Sequence, residues 1–136
     1  MLNARTDAYF VGTSGDPFDE TLVRAGRYLE AGADCIFVPG VRDVETIHRL
    51  TAAIAAPVNI VAGLTMPVLD VATLLSLGVA RVSVGGSLAR IAFSALERAG
   101  RELLESGTLS ALDSARLCRP AATLQRRAVR PAIALR

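Results

Sequence analysis

The sequence predicts an α/β fold built on a parallel sheet of four consecutive strand–helix units. Short β-like runs start near residues 2, 34, 58 and 80, and each leads into apolar residues at helical spacing. Size is the third observation: a closed eight-stranded barrel takes about 250 residues, and this chain has 136. Such repetition suits a doubly wound or a barrel-like sheet. Four units, with a first strand opening at residue 2, read as half of a larger arrangement.

The first run is Leu2–Thr6, followed by a turn-rich loop at residues 12–17 (GTSGDP). Asp16 and Pro17 suit the N-cap and first position of a helix that carries Phe18, Leu22, Ala25 and Leu29 on one face and stops at Gly32. The second run, Cys35–Val38, is short and wholly apolar, as in a strand covered on both faces. Its helix begins near Asp43, carries Val44, Ile47, Leu50 and Ile54, and is closed by Pro57. The third run, Val58–Ala62, passes Gly63 into a helix over Pro67–Leu77, with Gly78 as its stop. The fourth, Arg81–Val84, passes Gly85, Gly86 and Ser87 into a long helix that ends at Gly107.

These units define one region, residues 1–107, and the remainder, 108–136, is rich in Ala, Arg, Leu and Pro. Ser110–Leu117 suits one or two helical turns, Pro120 and Pro131 interrupt the rest of the tail, and weak order is expected at the end. Charge divides in the same place. Residues 1–106 hold 9 arginines against 12 acids, and residues 107–136 hold 6 arginines against Asp113 alone, so the net +2 belongs to the tail.

Composition excludes several functions. All 15 basic residues are arginine, which removes a Walker-type phosphate loop and Schiff-base chemistry. A single histidine, His48, removes multi-histidine sites; it falls on an outer helix, where packing or surface exposure is its expected role. An aromatic content of 4% argues against base-stacking surfaces, so no nucleic-acid partner is expected even for the basic tail. No apolar run approaches the ~20 residues of a membrane span, and the start has no signal-peptide pattern. Cys35 and Cys118 lie far apart without metal spacing, as in reduced thiols of a cytoplasmic protein.

Arg5 is the leading site candidate. It closes the first strand, at the end where barrel active sites gather, and its planar fork suits a carboxylate or phosphonate. The plainer alternative is an ion pair with Asp7. Asn3 shares its side of the strand, and Asn59 sits inside the third strand; either can face a barrel interior or satisfy local backbone. Gly85, Gly86 and Ser87 occupy a strand–helix turn that can cradle an anion, with a tight turn N-capped by Ser87 as the alternative. Asp43, Glu45 and Asp70 fall at helix starts, where they complement the dipole, and none is taken as a metal ligand.

Five segments in order, LNARTDAY, YLEAGAD, CIFVPGV, PVNIVAG and LGVARVSVGGSLAR, resemble the isocitrate lyase/phosphoenolpyruvate mutase superfamily. The likeness is nearest to its phosphonomutase-like and carboxyvinyl-carboxyphosphonate phosphorylmutase-like members, and it covers Leu2–Leu109. It implies a (β/α)8 TIM barrel that binds Mg²⁺ and small keto or phosphonate acids, with this chain as strands five to eight. The implied metal ligands and mobile catalytic loop then belong to the other half, and no catalytic residue is assigned here. Arg5 matches the family arginine that holds the substrate's anionic group, and Asn59 matches the family PVN segment. By the same resemblance, lyase members often place a glutamate after the proline of the second strand; this chain has Gly40 there, which argues against isocitrate-like substrates. The last helix, about Ser87–Ser106, is the one family members exchange between subunits, so a homo-oligomer or a partner half-barrel is implied.

The resulting expectation is a half-barrel of a Mg²⁺-dependent enzyme acting on C–C or P–C bonds of small keto- or phosphono-carboxylic acids, inactive alone. A truncated or frame-shifted gene is one origin of such a half. The competing expectation is a non-enzymatic half-barrel that self-associates or pairs with a partner half, and a third is a fragment of another phosphate-binding barrel using Gly85–Ser87.

Overall fold

A computed structural model describes residues 1–63 and 68–113. Four strands, β1 (Asn3–Arg5), β2 (Cys35–Val38), β3 (Val58–Val61) and β4 (Arg81–Ser83), form one parallel sheet in the order β1-β2-β3-β4. Between them run α1 (Ala8–Val11), α2 (Pro17–Glu30), α3 (Val44–Ala53) and α4 (Val71–Ser76); α5 (Ser87–Ser106) and α6 (Ser110–Asp113) come after β4. The chain divides into two compact units, Met1–Ala92 and the residues from Phe93 onward.

Local chemistry accounts for the helix starts. Asp16, Asp43 and Asp70 each have an extended backbone and accept a backbone N–H from the first turn, of Phe18, Thr46 and Thr73 respectively. Those bonds hold the Asp43 and Asp70 carboxyls below the usual range; for Asp43 the Thr46 hydroxyl is the largest cause, and for Asp70 the Thr73 backbone N–H. Helix α4 is shorter than the pattern suggests. Residues 68–70 are not helical, Asp70 is the cap and the helix opens at Val71, while residue 67 lies outside the described residues. The one-turn α1 is additional: Asp7 O accepts from Phe10 N and Val11 N, and Gly12 ends the turn.

Strand order decides what the sheet covers. Crossovers between parallel strands are right-handed almost without exception, so strands laid down always in the same direction put successive helices on the same side. Accordingly Ala25 of α2, Ile47 and Leu50 of α3 and Leu74 of α4 share one buried cluster with Ile36, Val38, Val58 and Ile60. Val44, the first residue of α3, stays exposed. The alternate residues Asn3, Arg5, Phe37, Asn59, Arg81 and Ser83 lie on the other face and belong to no such cluster. A doubly wound sheet would reverse direction and dress both faces; this one does not, which is the barrel-type alternative.

In the second unit, α5 continues to Ser106 and Gly107 turns the chain at positive φ. The Glu102 carboxylate then accepts from Thr108 Oγ1, Ser110 N and Oγ, and Ala111 N, fastening the first turn of α6. Those donors, the Ser110 hydroxyl first, lower its pKa to about 2. The expected turns over Ser110–Leu117 begin where anticipated, and residues 114–136, Cys118 included, lie outside the described residues.

Leu50 is fully buried, so Leu50→Ala should cost about 2–5 kcal/mol in urea unfolding of the chain. Because the folded pKa of Glu102 is depressed, its contribution is present above the unfolded carboxylate range and is lost as pH falls toward 2. Hydrogen exchange at Ser110 N–H should therefore accelerate between about pH 4.5 and 2, corrected for intrinsic rates, and Glu102→Gln should abolish that dependence.

Candidate functional site

Arg5 stands at the C-terminal end of β1, and three neighbours set its guanidinium. Nε donates to Asp7 Oδ1 at 2.6 Å. The rings of Phe10, from α1, and Phe37, from β2, have centroids 5.8 and 5.6 Å from its Cζ. Both partners of the ion pair are partly exposed, at 49% and 37%, so the pair stabilises the fold by only about 0–1 kcal/mol. Its effect is geometric. With Nε committed and the plane flanked by rings, the outer nitrogens remain for a planar anion.

The Asp7 partner of the plainer reading is present, and it orients the arginine without using up its donors. Asn3 lies on the same face, one alternation earlier, and its Oδ1 is buried with no hydrogen-bond partner among the described residues. Asn59 is in the Arg5–Phe37–Asn59 register row, buried to 1% exposure, and its Oδ1 accepts from Ser83 Oγ at 3.2 Å. The structure thus gathers Asn3, Arg5 and Asn59 on one sheet face.

Gly85, Gly86 and Ser87 lie after β4 and form a different feature. Ser87 is the first residue of α5 rather than its cap, and its N–H donates to Val84 O at 3.0 Å, which removes one donor from an anion cradle. Arg90 Nη2 donates to Gly63 O at 2.7 Å and to Ser87 Oγ at 3.1 Å, tying the end of β3 to the first turn of α5. Gly63 permits this, since its φ is +84° and a Cβ there would lie 2.7 Å from Ser87 Oγ. Three further side chains at these strand ends are not singled out by the sequence pattern. Arg90 has a legible signal in its i,i+3 spacing from Ser87, whereas Phe10 and Phe37 have none without the fold.

Gly40 lies just past β2 with φ +90°, and a Cβ there would meet Tyr9 O at 2.8 Å. Close approach of α1 therefore fixes glycine at this position. Cys35 opens β2 on the open face; burial pushes its thiol up, against an opposing pull from Arg81, with Asp34 adding a smaller push. His48 is exposed on α3. Among the described residues no group of three or more His, Cys, Asp or Glu is placed to hold a metal ion. No helix among them is long and apolar enough to cross a membrane.

Comparison with known proteins agrees with the sheet topology. The family model described as phosphoenolpyruvate phosphomutase matches residues 1–104. A crystal structure from Burkholderia cenocepacia J2315, described as a candidate lyase/mutase, is 42% identical with a TM-score of 0.79, over 87% of this chain and 42% of that one. An uncharacterised Mycobacterium tuberculosis (H37Rv) protein is 45% identical over 85 residues, 62% of this chain and 31% of its own length. The structure of 2,3-dimethylmalate lyase, at 20% identity and TM-score 0.69, shares the fold over 88% of this chain and 41% of that one. The chain spans less than half the length of these relatives, and its sheet corresponds to part of a TIM-barrel-type lyase chain.

Gly40 and Gly12 separate backbone strain from contact, since both have positive φ but Gly12 has nothing within 4 Å of its Cβ position. Gly40→Ala should destabilise the chain by about 1–3 kcal/mol, and by more than Gly12→Ala does, in parallel thermal unfolding. Equal losses would remove the Tyr9 contact as the reason for glycine.

Proposed function

The chain belongs to the phosphoenolpyruvate phosphomutase family, and from that membership we propose that it supplies one wall of a TIM-barrel active site acting on C–C or P–C bonds of small keto- or phosphono-carboxylic acids. The Arg5 guanidinium carries the proposal: it sits at the strand end where barrel sites gather, oriented by Asp7 and flanked by Phe10 and Phe37. Its part is to clamp the carboxylate or phosphonate end of the substrate, neutralising charge and fixing the reacting bond. It moves no proton. Asn3 and Asn59 join it as substrate-facing amides, and Gly85, Gly86 and Ser87 as the loop after β4 at the same end of the sheet.

Family membership implies Mg²⁺, yet the acids present do not fit it. Asp43 and Asp70 are spent on helix caps and Asp7 on Arg5, so no step is routed through a metal held by these residues. Metal ligands and a general base come from elsewhere in the barrel, and residues 1–107 act as a half-barrel unit that is inactive alone, in a cytoplasmic setting. Exposed Leu88 and Ile91 at the start of α5 support a second reading, a half-barrel whose role is association with a second copy or a partner half.

With Mg²⁺ present, the isolated chain should turn over neither oxaloacetate nor phosphonopyruvate. Turnover by the monomer would overturn the assignment of the metal site to another part of the barrel. In an assembled barrel, Arg5→Lys should weaken oxalate binding by roughly tenfold or more, because an ammonium replaces the bidentate fork. Unchanged affinity in a calorimetric titration would remove Arg5 from the site.

A further inference from the structure

Register places Arg5, Phe37, Asn59 and Arg81 in one row across the four strands. Side-chain contacts put the row on the open face: Arg5 lies over the Phe37 ring, and Ser83 Oγ, two residues beyond Arg81 on the same side of β4, donates to Asn59 Oδ1. A cation therefore stands at each edge of the bare face. Arg5 is answered locally by Asp7. Arg81 is exposed, and among the described residues no carboxylate pairs with it. Asn3, Cys35, Phe37, Asn59 and Ser83, which share the face, include no acid. Asp7 lies past the end of β1, whereas Arg81 opens β4.

The charge selects what can cover this face. A barrel interior is a packed core, not a pore. Closing two copies of this chain edge to edge would direct two Arg81 side chains into one interior, where the described strand residues on this face offer no acid to answer them. Desolvated like charges repel strongly there, and each also forfeits its hydration. We infer that the open face takes a strand-bearing partner presenting an Asp or Glu toward Arg81, and that Arg81 turns away a second copy of this chain. The inference rests on the half-barrel reading and adds to it the chemistry of the partner.

The test needs only this chain, because its Arg81→Glu form is itself a carboxylate-bearing half. Native mass spectrometry of wild type mixed with mass-tagged Arg81→Glu separates homodimers from heterodimers. Heterodimers should exceed the statistical proportion by roughly tenfold at low salt and fall back as salt is raised. Arg81→Leu should self-associate more tightly than wild type, since it removes the repulsion, and circular dichroism confirms that each variant folds. Arg27→Glu, a reversal on the outer helix α2, should show no preference for wild type. Wild type pairing with itself as readily as with Arg81→Glu would overturn the inference while leaving the half-barrel reading intact. An absence of pairing in every mixture, including Arg81→Leu, would overturn both.

Discussion

Everything distinctive about this chain comes from the handedness of its crossovers acting on a sheet that never reverses direction. With the order β1-β2-β3-β4, right-handed connections can place α2, α3 and α4 on one side only. That side holds the buried cluster of Ile36, Val38, Val58 and Ile60 with the helix residues Ala25, Ile47, Leu50 and Leu74. At roughly 1.5–3 kcal/mol for each fully buried aliphatic side chain, it is where the stabilisation lies. The opposite face inherits the alternate residues of the same strands and has polar, charged and aromatic side chains in place of a second core. Its edges, β1 and β4, are three residues each, short enough to offer little ladder to chance partners.

On that face, weak interactions matter through direction rather than energy. The Arg5–Asp7 pair is half exposed and contributes little to stability. It fixes one nitrogen of a five-donor fork and leaves the remainder free, while Phe10 and Phe37 restrict the plane. Arg90 plays the corresponding part at the other edge of the sheet, joining Gly63 and Ser87 so that the β3 and β4 loops keep one spacing. Both arginines act by bridging separate elements.

Legibility in the sequence depends on the range of each interaction. Asp16, Asp43 and Asp70 cap their helices through bonds spanning two or three residues, and caps of that kind can be read directly from residue type and spacing. The β2 run, Cys35–Val38, reads to the residue because it is apolar throughout. Strand ends are less legible: β1, β3 and β4 lose terminal residues because pairing with a neighbour, not propensity, decides where a ladder stops. Helix α4 opens at Val71 rather than Pro67 because Asp70 competes as a cap, a choice periodicity cannot register. At the candidate site, the place of Arg5 at a strand end is legible from residue type and strand position. Its aromatic flanks are not, since Phe37 reaches Arg5 only through the register Arg5↔Phe37.

Gly40 shows how the same geometry bears on chemistry. A carboxylate after β2 would need a Cβ where the Tyr9 carbonyl already lies within 2.8 Å, and a backbone away from φ +90°. The close approach belongs to α1, the turn that also brings Phe10 against Arg5. Introducing an acid at position 40 would therefore push on the element that frames Arg5. The segment that orients Arg5 and the absence of an acid after β2 are one structural decision. The β2 loop is thus closed to a carboxylate by the same turn that frames Arg5.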